Sequence, residues 1–226
     1  MDLPPIKRVR APRWLAEHAE AFRASGTPPA VPRLAATVVL LRPAEAGIEV
    51  YVQRRAATMS FAPGMYAFPG GSVDRTDYPG DDRADAGPVG EWSLSGDSAQ
   101  AVLRAAVREL AEETGVRLGT GALAAWARWL TPEFEPRRFD TFFFVARMPA
   151  DQQPRGGGSE SDHAAWLAPG EALGLPMLPP TRHTLGELAG YADVDAVLAA
   201  ASGRDVSVPV RPVIEVDADG VWLRPG

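Results

Sequence analysis

The most constraining feature of this sequence is an acidic helix that ends abruptly, at residues 108–116, RELAEETGV. Glu109, Glu112 and Glu113 stand at positions i, i+3 and i+4, so a helix would place all three carboxylates on one side. Like charges at this spacing weaken a helix by about 0.2–0.5 kcal/mol per pair. Gly115 is the residue type that commonly ends a helix. The segment therefore predicts a helix whose carboxylates a bound cation would stabilise.

The predicted helix runs from near Ser98 to Thr114, and its apolar stripe lies next to its acidic side. The stripe consists of Val102, Leu103, Ala106, Val107 and Leu110. We therefore expect the carboxylates at the rim of the core. Clustered carboxylates offer hard oxygen ligands to Mg²⁺ or Mn²⁺, which bridge phosphate oxygens and activate water. For the E-x-x-E-E pattern alone, a solvated acidic face is the simpler interpretation.

The segments around this helix predict several strands. Residues 33–42 predict a buried strand, residues 48–55 alternate like its antiparallel partner, and residues 43–47 form a hairpin loop between them. Residues 137–148 predict a central strand. The pattern of residues 122–130 fits either a strand or a short helix.

Other segments predict terminal elements and loops. Residues 12–25 predict an amphipathic helix, residues 178–201 a helix that can kink, and residues 212–225 a hairpin around a D-G turn. The first helix has a predicted face of Trp14, Leu15, His18, Ala19 and Phe22. Residues 61–71 form a loop rich in glycine and proline, and the polar residues 75–97 predict an excursion without a core of its own.

Charge and composition exclude several classes of protein. A net charge of −6 without a basic run argues against nucleic-acid binding. The absence of cysteine excludes disulfides, thiolate catalysis and cysteine-bound zinc, and fits a reducing cytoplasm. We see no secretory signal and no apolar stretch of about 18 residues, so we expect a cytoplasmic protein without a membrane segment. His18, His163 and His183 are expected to be structural or surface groups.

The stretch FPGG at residues 68–71, followed by the acidic helix, resembles the Nudix box, G-x(5)-E-x(7)-R-E-U-x-E-E-x-G-U. Every specified position of its second half is matched. These positions are Arg108, Glu109, Leu110, Glu112, Glu113, Gly115 and Val116. Counted from Gly71, the arginine would stand at position 85, so about 23 residues are inserted.

The insertion leaves two positions for the first glutamate of the box. Asp77 holds that slot when counted from the glycine, and Gln100 holds it when counted back from the arginine. In the family this glutamate supports the metal site and the arginine. Gln100 also stands three residues after Asp97, the spacing of a capping box.

Insertions in the box are a feature of the coenzyme A diphosphatase branch of the family. Residues 54–71 resemble the signature of that branch at Arg55, Ala56, Gly64 and the final FPGG, although Ser60 replaces its second arginine. Pro132 lies sixteen residues beyond the box, as a proline does in ADP-ribose pyrophosphatases. Coenzyme A or acyl-CoA is the expected substrate, with ADP-ribose or another nucleotide sugar as the alternative.

The resemblance implies an α/β/α sandwich with a mixed β-sheet, in which the box forms a loop–helix–loop. The implied reaction is hydrolysis of a pyrophosphate that joins a nucleoside to another group, with Mg²⁺ or Mn²⁺ as cofactor. The Nudix domain is expected at residues 31–203, with the box insertion at about 75–97. Residues 1–30 would form a helical extension, and residues 204–226 a hairpin packed on the same domain.

The resemblance also implies roles for the residues of the helix. Glu112 and Glu113 are the leading metal ligands, and Glu109 is either a third ligand or orients the attacking water. The Gly70 carbonyl is an expected further ligand, because glycine lets the backbone approach an ion. Arg108 is expected to organise the site through ion pairs.

Residues outside the helix complete the expected site. Arginine binds phosphate through a bidentate, permanently charged fork, so Arg55, Arg137 and Arg138 are the candidates for substrate binding. For the last two, a charged strand entry is the alternative. Glu160 is a candidate late carboxylate, with a solvated loop residue as the alternative.

Two further hypotheses concern the whole protein. A non-catalytic Nudix-fold sensor of nucleotide metabolites is the alternative from another class, and a homodimer is an open expectation. The 75–97 insertion is expected to gate the substrate, because it emerges beside the metal site. Its apolar residues that could cover a ligand are Tyr78, Val89, Trp92 and Leu94.

Overall fold

The computed structural model describes residues 8–11, 13–59, 62–79, 92–156 and 160–226. Within these ranges, seven strands form a mixed central sheet. They are β2 (Arg33–Ala44), β3 (Gly47–Arg55), β4 (Tyr66–Ala67), β5 (Gly70–Ser72), β6 (Ala124–Leu130), β7 (Phe139–Arg147) and β8 (Ser161–Leu167). The strands predicted at 33–42, 48–55 and 137–148 are confirmed, and the undecided segment 122–130 is a strand.

The edge of β2 is divided between two partners. β3 pairs antiparallel with its C-terminal part at Leu41–Ala44, and β5 pairs antiparallel with its N-terminal part at Ala35–Thr37. On its other side β2 runs parallel to β7, which confirms that β7 is central. Since β3 and β5 share one edge of β2, residues at the junction between them lie close together.

Helices cover both faces of this sheet, so the expected α/β/α sandwich is confirmed. Helix α2 (Gly96–Thr114) packs on one face, and α3 (Pro169–Ala172), α4 (Pro179–Leu188) and α5 (Val194–Ala201) pack on the other. The helix predicted over 178–201 is therefore two helices, α4 and α5, separated by a turn. The alternation along β2 follows this layering, because Val38 and Leu40 face α2 whereas Val39 and Leu41 face the other layer.

Helix α2 begins two residues earlier than predicted and ends as predicted. Ser95 is its N-cap and accepts a hydrogen bond from the Ser98 amide at 3.3 Å. The capping box suggested for Gln100 is therefore wrong, because the cap lies upstream of Asp97. Gly115 ends the helix in the left-handed conformation, with φ 75°.

The excursion predicted at 75–97 does contribute to the core, which corrects the expectation. Trp92 is only 6% exposed and packs against Phe142 and Phe144, with ring centroids 5.5 Å away in each case. Arg128 donates to the Trp92 carbonyl at 2.8 Å. Trp92 is thus a core residue rather than a cover for a ligand, and Leu94 packs on the same cluster.

The two other residues assigned to a cover give no evidence for one. Tyr78 is 41% exposed. Val89 falls in the segment 80–91, which lies outside the described residues. The gating role of the insertion therefore stays a prediction.

The chain termini form a second, three-stranded sheet. The predicted terminal hairpin is confirmed as β9 (Pro212–Asp217) and β10 (Gly220–Pro225), and β1 (Val9–Ala11) adds an unpredicted strand to β10. Helix α1 (Arg13–Ser25) buries Leu15, Ala16 and Ala19 beside this sheet. Trp14, predicted on that buried face, is 57% exposed. Among the described residues, no helix is long and apolar enough to cross a membrane.

Candidate active site

Glu113 is the most deeply placed carboxylate of α2. Its Oε2 accepts a hydrogen bond from the Gly70 amide at 3.1 Å and another from the Gln53 side-chain amide. Burial raises the pKa of the Glu113 carboxyl to about 7, and the charges of Glu109 and Glu160 act in the same direction. Two N–H dipoles thus stabilise the charge of this carboxylate, and within the described ranges no cationic side chain pairs with it.

The other two carboxylates of the helix lie nearer the surface. Glu109 packs so closely on the glycine loop that a Cβ at Gly71 would collide with its carboxylate. Burial raises the pKa of Glu109, and its ion pair with Arg108 opposes that shift. Glu112 has a side chain 60% exposed, with Oε2 3.2 Å from an Arg108 nitrogen.

Arg108 joins the glycine loop to the acidic helix. Its Nε and Nη2 donate to the two oxygens of Asp77, each at 2.9 Å, and Nη2 also donates to the Ser72 carbonyl at 3.1 Å. Nη1 donates to Glu109 at 2.9 Å and to Glu112 at 3.2 Å. The side chain therefore links the glycine loop to two carboxylates of α2 through ion pairs, and its role in organising a site stays a prediction.

Of the two candidates for the first glutamate position of the box, Asp77 is the one that faces Arg108. It is 4% exposed and lies at the end of a short 3-10 turn, Arg75–Asp77, where it also accepts from the Asp74 amide at 2.7 Å. In the described part of the chain, the buried Oε1 of Gln100 has no hydrogen-bond partner. The carboxylate that pairs with Arg108 is thus supplied by the start of the 75–97 segment, close to the glycine loop, and not by the Gln100 position.

A glycine at position 70 is required by a close backbone contact. Gly70 has φ 157°, and a Cβ there would collide with the Ala36 carbonyl on β2. Thr37 fixes the loop by donating from Oγ1 to the Pro69 carbonyl at 2.7 Å. The loop is thereby held against β2 with the Gly70 amide directed at α2.

Glu160 is electrostatically coupled to the helix carboxylates. Burial is the main cause of the raised pKa of Glu109 and of Glu113, and the negative charge of Glu160 raises both further. The Glu160 carbonyl accepts a hydrogen bond from the Ala56 amide at 2.9 Å, which fastens this end of β8 to the end of β3. The structure thus brings a fourth carboxylate from a distant segment toward the site.

The three candidate arginines have different surroundings. Arg55 is partly buried at the end of β3, next to Ala56 and therefore close to the Glu160 backbone. Arg137 is exposed at the entry to β7. Arg138 is 8% exposed and donates to the Thr131 carbonyl at 3.1 Å and the Ala30 carbonyl at 2.8 Å. Those contacts are structural and give no support to a substrate role for Arg138.

His163 is exposed at the surface, whereas His183 belongs to a buried network. The His163 ring packs edge-on against Tyr66, at 6.2 Å between centroids. His183 lies 3.5 Å from Glu187 in a buried network in which Glu187 also accepts from Trp126 at 2.9 Å and Arg204 at 2.8 Å. This network, on the face opposite α2, could not be inferred from spacing in the sequence.

Gln53 is a site residue that no motif indicates. It occupies an inward position of β3, where an alternating strand normally carries an apolar residue, and it reaches Glu113 across the junction of β3 and β5. A polar residue at a buried strand position was the available signal.

The donor set suits a hard divalent cation, although the helix carboxylates point in different directions. Within the described ranges, no three acidic or histidine side chains already surround one point closely enough to hold an ion. Glu113 is turned toward Gln53 and Gly70, whereas Glu109 and Glu112 are turned toward Arg108. All the available ligands are oxygens, the preference of Mg²⁺ and Mn²⁺. A cation would also compensate the desolvated Glu113.

The sandwich and the box helix define a hydrolase of the class that uses divalent metal ions. The chain belongs to the Nudix family, since the NUDIX domain model matches residues 31–188. This range includes both the glycine loop and the acidic helix.

Solved structures agree with this membership. A NUDIX hydrolase from Alicyclobacillus acidocaldarius is 29% identical, with 79% of this chain and 99% of that chain covered and a TM-score of 0.66. The NUDIX domain of Shewanella oneidensis NrtR, solved with ADP ribose, is 16% identical, with 74% and 95% covered and a TM-score of 0.50. The second likeness concerns the fold alone. No curated protein matches the chain significantly.

Proposed function

We propose that the protein hydrolyses the pyrophosphate bond of a nucleoside diphosphate linked to another group. The observation that carries this proposal is the buried Glu113 carboxylate, held by the Gly70 amide and the Gln53 amide on the acidic side of α2. Glu109, Glu112 and Glu113 would hold Mg²⁺ or Mn²⁺, together with the Gly70 carbonyl. The bound cation would polarise the phosphate and lower the pKa of water.

The residues around the proposed metal site have separable tasks. Arg108 restrains Glu109 and Glu112 by ion pairs and is itself fixed by Asp77. Glu109 serves as a third ligand or orients the attacking water. Glu160, whose charge acts on Glu109 and Glu113, is the proposed late carboxylate of the site.

Coenzyme A or acyl-CoA is the proposed substrate. The loop that carries the signature of that branch is fastened at Arg55, whose carbonyl accepts from the Gly64 amide and whose amide donates to the Met65 carbonyl, both at 2.9 Å. Gly64 has φ 72°, a conformation that favours glycine. These contacts support a built substrate loop beside Glu160, with Arg55 as the proposed phosphate contact. Ser60 lies outside the described residues.

ADP-ribose is the second candidate substrate. It is favoured by Pro132 in the β6–β7 connection, sixteen residues beyond the box. Such a substrate would need the same carboxylates but a different pocket for its second half. A non-catalytic sensor is the candidate from another class. The three carboxylates of the box helix, Glu109, Glu112 and Glu113, are all present and argue against it.

A product assay separates these candidates. The protein is incubated with Mg²⁺ or Mn²⁺ and, separately, with coenzyme A, ADP-ribose, NADH and diadenosine polyphosphates. Adenosine 3′,5′-bisphosphate as a product identifies coenzyme A cleavage, and AMP with ribose 5-phosphate identifies ADP-ribose cleavage. Binding of one compound without cleavage would instead favour the sensor.

The remaining expectations about partners are proposals of the same kind. A small nucleotide is the proposed ligand, with no nucleic acid and no membrane, because the chain carries a net charge of −6. The cytoplasm is the proposed location, on the absence of cysteine. A homodimer is proposed as the assembly to test by light scattering.

A further inference from the structure

Gln53 is a polar side chain at a buried position of β3. The residue is 5% exposed, and its Nε2 donates to the Glu113 oxygen Oε2, which also accepts from the Gly70 amide. Its own Oε1 is buried and has no hydrogen-bond partner in the described part of the chain. The side-chain nitrogen is therefore bonded to a proposed metal ligand, whereas the side-chain oxygen is unsatisfied.

Stability does not explain a glutamine at this position. A buried acceptor without a partner costs about 1–3 kcal/mol, whereas an apolar side chain of similar length would carry no such cost. The neighbours of Gln53 on this face of the sheet, such as Tyr51 and Ala36, belong to the apolar cluster beneath α2. The contact with Glu113 is what distinguishes glutamine from methionine or leucine here.

An amide also differs from a cationic side chain in its effect on the carboxylate. Arginine or lysine would neutralise Glu113 and compete with a metal ion for it. The Gln53 and Gly70 N–H groups instead fix Oε2 without adding charge, and neither bond uses the other oxygen, Oε1. A carboxylate fixed through one oxygen can present the second oxygen to a cation.

The backbone beneath Gln53 is rigid enough to serve this purpose. At Gln53 the strand β3 is paired on both sides, with Ala67 of β4 and with Ala164 of β8. Two further residues along, Arg55 is held by Met65. The amide of Gln53 is thus pre-positioned before any ligand binds.

We propose that Gln53 is a positioning residue for the metal site, which holds Glu113 in the orientation that binds the divalent cation. This inference rests on the proposed function and deepens it. It predicts that loss of the Gln53 amide weakens metal binding itself, before any substrate is present. Partners that orient metal ligands typically contribute about 10- to 100-fold to metal affinity.

The test is a titration of the metal-free protein with Mn²⁺, in which electron paramagnetic resonance measures the free ion. Gln53→Met, which preserves length and burial, should bind Mn²⁺ about 10- to 100-fold more weakly than wild type without a lower Tm. Arg54→Met is the matched control, because Arg54 is the adjacent residue of β3 and pairs with Asp162 away from the site. Its Mn²⁺ affinity should equal that of wild type.

A double-mutant cycle separates positioning from a general structural effect. In a Glu113→Gln background, Gln53→Met should cause no further loss of Mn²⁺ affinity, because its partner carboxylate is already gone. An additive loss would overturn the inference. If Gln53→Met fails to fold, Gln53→Asn replaces it, since its shorter amide cannot reach Glu113.

The outcomes distinguish the two proposals. Wild-type protein that binds no Mn²⁺ would refute the proposed function and this inference with it. Wild-type protein that binds Mn²⁺, with a folded Gln53 variant of equal affinity, would refute the inference alone.

Discussion

Asp77, rather than Gln100, should hold Arg108 in place, and one substitution at each position tests this. The Asp77 carboxylate is 4% exposed and accepts two Arg108 hydrogen bonds of 2.9 Å, as well as the Asp74 amide at 2.7 Å. Each Asp77 oxygen accepts from Arg108, so in Asp77→Asn one oxygen remains as an acceptor, but the NH₂ donor faces the guanidinium in either orientation of the amide. The variant therefore removes the negative charge of Asp77 and places an amide donor against a guanidinium donor.

The expected loss of stability follows from the burial of this ion pair. Removing one partner of a buried pair costs about 3–5 kcal/mol. The Arg108 side chain is 24% exposed and retains Glu109 and Glu112, so the cost should lie at the lower end, at about 3 kcal/mol. For a chain of this size, such a loss lowers Tm by about 6–12 °C.

Urea unfolding at neutral pH measures this difference, with Gln100→Leu as the control. Gln100→Leu removes a buried acceptor that lacks a partner, so its unfolding free energy should equal or slightly exceed that of wild type. The reasoning is refuted if Asp77→Asn lies within about 0.5 kcal/mol of wild type. Marked destabilisation by Gln100→Leu alone would assign the slot to Gln100.

Three further changes test other parts of the structure. Glu112→Gln should reduce metal-dependent turnover by orders of magnitude. Its unfolding free energy should be almost unchanged, because the Glu112 side chain is 60% exposed and its ion pair stabilises the fold little. Enzyme kinetics and urea unfolding of one preparation check the two expectations. Trp92→Ala should cost about 3–5 kcal/mol in urea unfolding, and a loss below about 1 kcal/mol would contradict its place in the core. Burial acts to raise the pKa of Glu187, but hydrogen bonds from His183 and Arg204 hold this pKa below its ordinary 4.5. Its charge therefore stabilises the fold above that pH, and the deficit of Glu187→Gln in urea unfolding should shrink as pH falls below 4.5; a deficit independent of pH would contradict this.

The sequence predicts the parts of the fold whose patterns are local. The box helix is defined by its apolar stripe, its carboxylates and Gly115, and β2 and β3 by apolar runs around a short turn. β4 and β5 have two and three residues, too few for a period to appear, and their pairing depends on contacts with β3 and β2. Similarly, β1 is defined by its pairing with β10, more than 200 residues away.

The site shows the same division between local and distant information. Counting along the chain could not decide between Asp77 and Gln100, because an insertion separates the glycine loop from the helix. Trp92 lies in a polar segment, so composition predicted exposure where aromatic packing on β7 decides burial. Gln53 lacks a motif because its role depends on the junction of two strands beside α2.

The most direct test of the central claim is hydrolysis of coenzyme A by wild type and by Glu113→Gln, with Mn²⁺ and then with a chelator. The account predicts that wild type releases adenosine 3′,5′-bisphosphate only while the metal is available, and that Glu113→Gln is slower by orders of magnitude although it remains folded. Equal turnover of the two proteins at saturating Mn²⁺ would contradict the account, as would turnover by wild type that the chelator leaves unchanged.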